Sequence, residues 1–444
     1  MTAKQKDTNL NAGQSTRAGR SKRLLATFAW LAFAPLLAGC VGYVISPVPP
    51  APQQQDAWLS FKFQSPNGSP GCGSYQNQTC GLTDVGEATA YYNALGIANP
   101  GAYKFSNWLT DNGFANVGPG QLAHAIYFNK LDLQFGRDMN CWQNGQTVAC
   151  YVVNYGPKPT DPGWPDRTQA LDDANNHTHP PFATVAMVYN PTIISNQVSF
   201  YVFNNGKATN AFDPTTVPLD FVAALDTEGA KTVPRMCMGC HGGSYTHSDS
   251  STNPPTPASV AGAQFLPFDV FSFGLDASSS GQQAFLDLNA FVLATKPNPA
   301  IADFINGTYE FVGPVGPPFT QQVGNTQILD FVPANWALDN TRAALYGSTV
   351  RTYCRMCHLA QSRNFGTFDG VGDAGNFSGD SGLIEAFVCG NGDMPHMEVP
   401  FGPQNNQNLS HAGIGLWLDV DPQARKDLHD FLQSVNGSTK CPAN

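Results

Sequence analysis

Two short stretches carry the most chemistry in this chain: Cys237-Met238-Gly239-Cys240-His241 and Cys354-Arg355-Met356-Cys357-His358. Each is C-x-x-C-H, the attachment sequence of covalent haem c. Two sulfurs separated by two residues reach the two vinyl groups of one porphyrin edge. The histidine that follows at once comes under the iron as proximal ligand. Cys237, Cys240, Cys354 and Cys357 are therefore the expected attachment residues, His241 and His358 the expected iron ligands, and two haem c groups the expected cofactors. A C-x-x-C pair also serves as a redox dithiol or as half of a zinc site. Neither use calls for a histidine directly after the second cysteine, yet both copies have one.

The sixth iron ligands are the next question. Residues 336–444 resemble a class I cytochrome c domain in the order of their parts. A helical segment leads into C-x-x-C-H, a loop with Met394-Pro395 follows, and an amphipathic helix closes the region. The resemblance implies His358 proximal and Met394 distal, a pairing that raises the potential and suits electron transfer. His396 and Met397 compete from two and three positions away. For the first motif no methionine lies between His241 and Met356. Its sixth ligand comes from His124, Met139, His177, His179, Met187 or His247, or is absent.

The elements that must hold these groups begin after a leader. Arg17, Arg20, Lys22 and Arg23 form a basic stretch, and Leu24 to Leu37 is apolar except at Thr27 and Pro35. That is too short for a membrane span and reads as a signal peptide. Leu37-Ala38-Gly39-Cys40 resembles the bacterial lipobox, which implies removal of 1–39 and acylation of Cys40. Residues 40–57, rich in Pro and Gln, then form an extended tether of ~3.1 Å per residue. The expected location is the bacterial envelope, held by lipid, with outer-membrane or periplasmic-face attachment favoured over the inner membrane.

Of eleven cysteines, Cys40 and the four haem cysteines leave six. An oxidising compartment pairs them. Neighbours in sequence suggest 72–80, 141–150 across a hairpin, and 389–441 by elimination.

Charged residues make up only 13% of the chain and the net charge is −10. That balance excludes nucleic acid and docking on anionic lipid surfaces, and it suits a basic redox partner.

The pattern gives an α+β, multidomain fold. A loop-rich α+β region (58–230) precedes a first haem module (231–335) and a mainly α, cytochrome c-like domain (336–444). Helices are expected at Glu87–Leu95, Pro100–Leu109, Gln282–Thr295, Asn340–Cys354 and Asp421–Val435. Val148–Asn154, Phe182–Tyr189 and Val198–Phe203 read as strands, with Asn144-Gly145 as a hairpin turn. Leu122–Phe128 fits a strand or a helix. The first haem motif is expected on a loop opened by Pro234.

The segments Tyr127–Cys141, Ala224–Pro234 and Phe265–Phe271 resemble those of bacterial dihaem c-type cytochrome lipoproteins. The resemblance implies secretion and haem binding and brings no substrate. The expected function is electron transfer, with no catalytic residue assigned. The alternatives are a dihaem peroxidase or oxidase reacting at the His241 haem, and a surface binding module that carries haems. Arg137, Arg351 and Arg355 are candidates to pair haem propionates.

Overall fold

Strands form where β-branched and aromatic residues dominate a run. Val148-Ala-Cys-Tyr-Val-Val and Val198-Ser-Phe-Tyr-Val-Phe are such runs, and every residue of the second is buried. Such runs fit a sheet covered on both faces. The computed structural model describes residues 85–129, 135–156, 167–223, 231–252, 254–269, 273, 279–309, 331–360, 422–437 and 441. Cys40, Cys72, Cys80, Cys389 and the Met394 loop, with His396 and Met397, lie outside the described residues, as does the Cys357 side chain.

The elements, in chain order, are helices α1 (Val85–Ala94) and α2 (Phe105–Asp111), then strands β1 (Ala123–Phe128), β2 (Gly136–Asn144) and β3 (Thr147–Tyr155). Helix α3 (Arg167–Asn176) and strands β4 (Ala183–Tyr189), β5 (Val198–Phe203) and β6 (Leu219–Asp220) follow. Helix α4 (Arg235–His241) carries the first motif. Helices α5 (Ser279–Ala294), α6 (Pro299–Tyr309) and α7 (Asn340–Leu345) come next. Helix α7 widens into a π-helical stretch (Tyr346–Cys354) that runs directly into α8 (Arg355–His358); α9 (Pro422–Asn436) closes the set. The α+β class stands.

The six strands form one antiparallel sheet in simple sequence order, β1 to β6. Leu122–Phe128 therefore resolves to a strand. The β2–β3 turn places Gly145 at φ +61°, the left-handed region a two-residue hairpin needs at its first central position. The register sets Cys141 opposite Cys150, and they form the expected disulfide. Closing a loop of this length stabilises by roughly 2–3 kcal/mol. Cys441 is also disulfide-bonded, to a partner outside the described residues.

Alternate residues point to opposite faces. One face presents Tyr151, Tyr201 and Phe203, covered by α2 and its neighbours. Trp108 meets Tyr151 edge-on at 6.0 Å and Phe105 meets Phe203 at 5.2 Å. Each such aromatic pair contributes ~0.5–1.5 kcal/mol beyond its burial. Helix α3 lies on the same face, over Gly136. A Cβ there would fall 1.8 Å from the Ala170 carbonyl oxygen, so only glycine allows the approach.

The other face presents Tyr127, Arg137, Met139, Val152, Val185, Met187 and Phe200 by the same register. Helix α5 covers its β1 end, where Phe285 meets Tyr127 edge-on at 5.3 Å. The sheet, α4, α5 and α6 share one hydrophobic core. Helix α9 buries Leu428, Phe431 and Leu432, and Thr349 in the π-helical stretch donates to the Ala424 carbonyl at 2.8 Å.

Two expectations are corrected. Pro100–Leu109 is not one helix: a short turn (Pro100–Ala102) is separated from α2 by Tyr103 and Lys104. The Tyr103 carbonyl accepts from Leu219 and the Phe105 N–H donates to the Val217 carbonyl, so the sheet edge claims this backbone. The first C-x-x-C-H motif sits on helix α4, not on a loop. Pro234 caps that helix, where a missing N–H costs nothing. Among the described residues, no helix is long and apolar enough to cross a membrane.

Candidate functional site

The strand register and α4 together make a cleft. Its floor is the Arg137–Met139–Val152–Val185–Phe200 face of the sheet, and its roof is α4 with the 265–268 segment. The cleft measures about 1,070 Å³, counting the space at its mouth. Cys237, Cys240 and His241 all line it, and so does Met356 from the second motif.

His241 is held in one orientation. After it the chain turns through Gly242 (φ +66°) and Gly243 (φ +94°). A Cβ on Gly243 would come within 3.0 Å of the Ala261 carbonyl oxygen and closer still to the Ala263 nitrogen. The turn returns the chain through β7 (Ser244–Thr246) and β8 (Ser259–Ala261) to Gln264. There the Gln264 N–H donates to the His241 carbonyl at 2.8 Å. His241 Nδ1–H donates to the Gln264 carbonyl at 2.9 Å. A carbonyl only accepts, so Nδ1 carries the proton and Nε2 keeps the lone pair that binds a metal. Metal-ligating histidines are oriented by this kind of backbone bond.

The thiols lack the character of an activated redox dithiol. Cys237, Cys240 and Cys354 are not in disulfides. The apolar surroundings of Cys237, with a smaller effect of Cys240, push its thiol up to about 12. Burial does the same to Cys354. Redox-active dithiols show the opposite shift. Among the described residues, no group of three or more His, Cys, Asp or Glu is placed to hold a metal ion. Cys237, Cys240 and the oriented His241 imidazole thus converge on one largely apolar cleft.

The structure separates the upstream ligand candidates. Met139 and Met187 line the cleft. His124 does not: it bonds Asp138 at 2.9 Å on the far face of the sheet, and that bond raises its pKa above the ordinary histidine value. His177 stacks on Tyr155 at 5.6 Å, on the same far face, with φ +53°. His179 bonds Asp173 at 2.7 Å, which raises its pKa. Burial alone would raise the Asp173 carboxyl, but hydrogen bonds from Thr178, His179 and Gln169 outweigh it and hold it low. His247 lies between Arg235 and Glu87. All four histidines are engaged away from the cleft.

The second motif lies against the first. Helices α4 and α8 are in contact. Asn298 Nδ2 donates to the Leu359 carbonyl at 2.7 Å, tying the residue after His358 to the start of α6. Arg355 is not placed for a propionate. It is 1% exposed, bonds Asp269 through Nε at 2.9 Å and Tyr346 Oη through Nη1 at 2.9 Å, and lies 4.5 Å over the Phe304 ring. Sequence reasoning missed this pair because its partners are 86 positions apart. Arg137 does line the cleft, with Nε on Asn154 Oδ1 at 3.1 Å. His358 is half-buried on α8.

No family model matches the chain, and no curated protein or solved structure matches it.

Proposed function

We propose that this protein is an exported, lipid-anchored dihaem c-type cytochrome that transfers electrons. The observation that carries this reading is the His241 site: two thiols and an oriented imidazole converge on one largely apolar cleft. Cys237 and Cys240 would hold the first haem by thioethers, with His241 Nε2 on its iron. Cys354, Cys357 and His358 would hold the second, with Met394 as the distal ligand that the class I cytochrome c resemblance implies.

Haem iron supplies a one-electron couple. The chain's own residues make that couple usable. The Gln264 carbonyl keeps His241 in one tautomer and rotamer. Phe200, Phe265 and Phe268 line the cleft and help keep it apolar. Met356, inside the second motif, lines the first cleft, and α8 rests on α4. That contact suits exchange of electrons between two groups within one chain.

The test is the oxidised holoprotein, measured by optical absorption and EPR. Two low-spin haems, each reduced by one electron and neither turning over peroxide, are the expected result. A high-spin haem that binds cyanide and consumes peroxide would replace the carrier reading with the dihaem peroxidase or oxidase.

The anchor has its own test. Cys40→Ser is expected to abolish fatty-acid labelling and to move the protein from the membrane fraction to the soluble one. A wild-type protein that is already unlabelled and soluble would overturn the lipid anchor and leave the haem reading untouched.

A further inference from the structure

On the face of the sheet opposite the His241 cleft, a polar hollow opens at one end of the strands. Its floor is Ser199 and Tyr201 of β5 with Val188 of β4. Its walls come from the 95–103 connection, α2, the β2–β3 turn and the 190–193 segment. We propose that this hollow binds an uncharged saccharide ring.

The hydrogen-bonding capacity of the lining carries the proposal. Tyr201 is only 8% exposed. Its hydroxyl accepts from Ser199 Oγ at 3.4 Å and, among the described residues, donates to nothing. Burial, with the Asp111 charge adding to it against the Ser199 bond, pushes this phenol up to about 12, so it stays a donor. Asp111 is exposed and accepts the Tyr103 hydroxyl on Oδ2 at 2.7 Å. It has no ion pair among the described residues, and Oδ1 is left to accept. Asn107 accepts the Lys104 N–H on Oδ1 at 2.9 Å, and Asn190 accepts the Thr192 hydroxyl on Oδ1 at 2.7 Å. Both keep their Nδ2 groups as donors. Asn112 donates from Nδ2 to the Trp108 carbonyl at 2.9 Å and keeps Oδ1 as an acceptor.

This mixture selects one class of ligand. An anion would face Asp111, and no Lys, Arg or His lines the hollow to offset it. A cation would use Asp111 but leave the donors of Tyr201, Asn107 and Asn190 without acceptors. A hard metal ion takes six or more oxygen ligands, several of them usually carboxylates, and one carboxylate is present. The hollow encloses about 1,250 Å³ with the open space at its mouth, far more than an ion needs. Each sugar hydroxyl both donates and accepts, so neighbouring hydroxyls on one ring satisfy the carboxylate, the amides and the phenol together. The C–H surfaces of the ring have Ile97, Val188 and Ile193 to pack on. Because the hollow is on the other face of the sheet, the proposal does not depend on the haem reading.

The experiment uses the full-length protein. The probes are the methyl glycosides of glucose, galactose, mannose and N-acetylglucosamine, with choline and inorganic phosphate as charged comparators. Saturation-transfer NMR detects binding, and titration gives Kd for wild type, Asp111→Ala and Tyr201→Phe. Circular dichroism checks that each variant is folded. Asp111 is exposed at the C-terminal end of α2, where alanine suits the helix and removes an unfavourable charge, so this variant should fold.

At least one glycoside is expected to bind and neither charged comparator to do so. Asp111→Ala should weaken binding by about tenfold or more, the size of one hydrogen bond to a charged group. Tyr201→Phe should weaken it by about 2–10-fold, the size of one neutral hydrogen bond. If Tyr201→Phe does not fold, Asp111→Ala decides alone. Failure of all four glycosides, binding of choline or phosphate in their place, or glycoside binding unchanged in Asp111→Ala would each overturn the proposal.

Discussion

Cys237→Ala combined with Cys240→Ala is expected to yield a protein with one covalent haem instead of two. The intact mass should fall by one haem beyond the two sulfur atoms removed, and one of the two potentials should disappear. The reason is geometric. Both thiols line one cleft together with His241, and among the described residues no other thiol lines that cleft. The structural cost should be large as well. The apolar lining of the cleft would be left open to water, which is unfavourable. The floor of the cleft is the central sheet, so the loss should show in the global unfolding transition. The matching Cys354→Ala, Cys357→Ala variant should lose the other haem. A mass unchanged in either variant would refute covalent attachment at that motif.

The second large effect is on stability. Asp269→Ala is expected to destabilise the fold by ~3–5 kcal/mol, because it leaves the Arg355 guanidinium charged and buried without its carboxylate. Both side chains are 1% exposed. The nearby Tyr346 hydroxyl and Phe304 ring cannot neutralise a full charge. Urea unfolding followed by circular dichroism measures the loss. The double variant Asp269→Leu, Arg355→Met should recover most of it, since a buried pair replaced by apolar groups of similar volume is close to neutral. A loss below ~1 kcal/mol, the size for an exposed pair, would show that water reaches the site. Asp269 ends the segment that roofs the first cleft, and Arg355 belongs to the second motif. The single variant should therefore also perturb the spectrum of the first haem.

The covalent chemistry expected of this chain was legible in its sequence, because it depends on near neighbours. Two residues between cysteines and a histidine at the next position define the attachment geometry without reference to the fold. The β2–β3 hairpin was legible for the same reason: Asn144-Gly145 turns the chain, and the register then sets Cys141 against Cys150. Runs such as Val148–Asn154 and the Leu428, Phe431, Leu432 stripe announced their elements through periodicity alone.

Other features depended on residues far apart. Met139 and Met187 read as two candidates among six, because facing a cleft depends on which strands pair and in what register. A shift of one residue would have turned Met139 to the far face and brought Asp138 to the cleft. The loop histidines looked available because their partners, Asp138, Asp173, Glu87 and Tyr155, come from other elements or the next turn. Arg355 read as a candidate partner for a propionate until folding brought Asp269 to it from 86 positions upstream. The sequence by itself determined what can bond to what at short range; the tertiary structure alone decided which face each side chain occupies and which charges are buried together, because strand pairing and desolvation are properties of the packed chain.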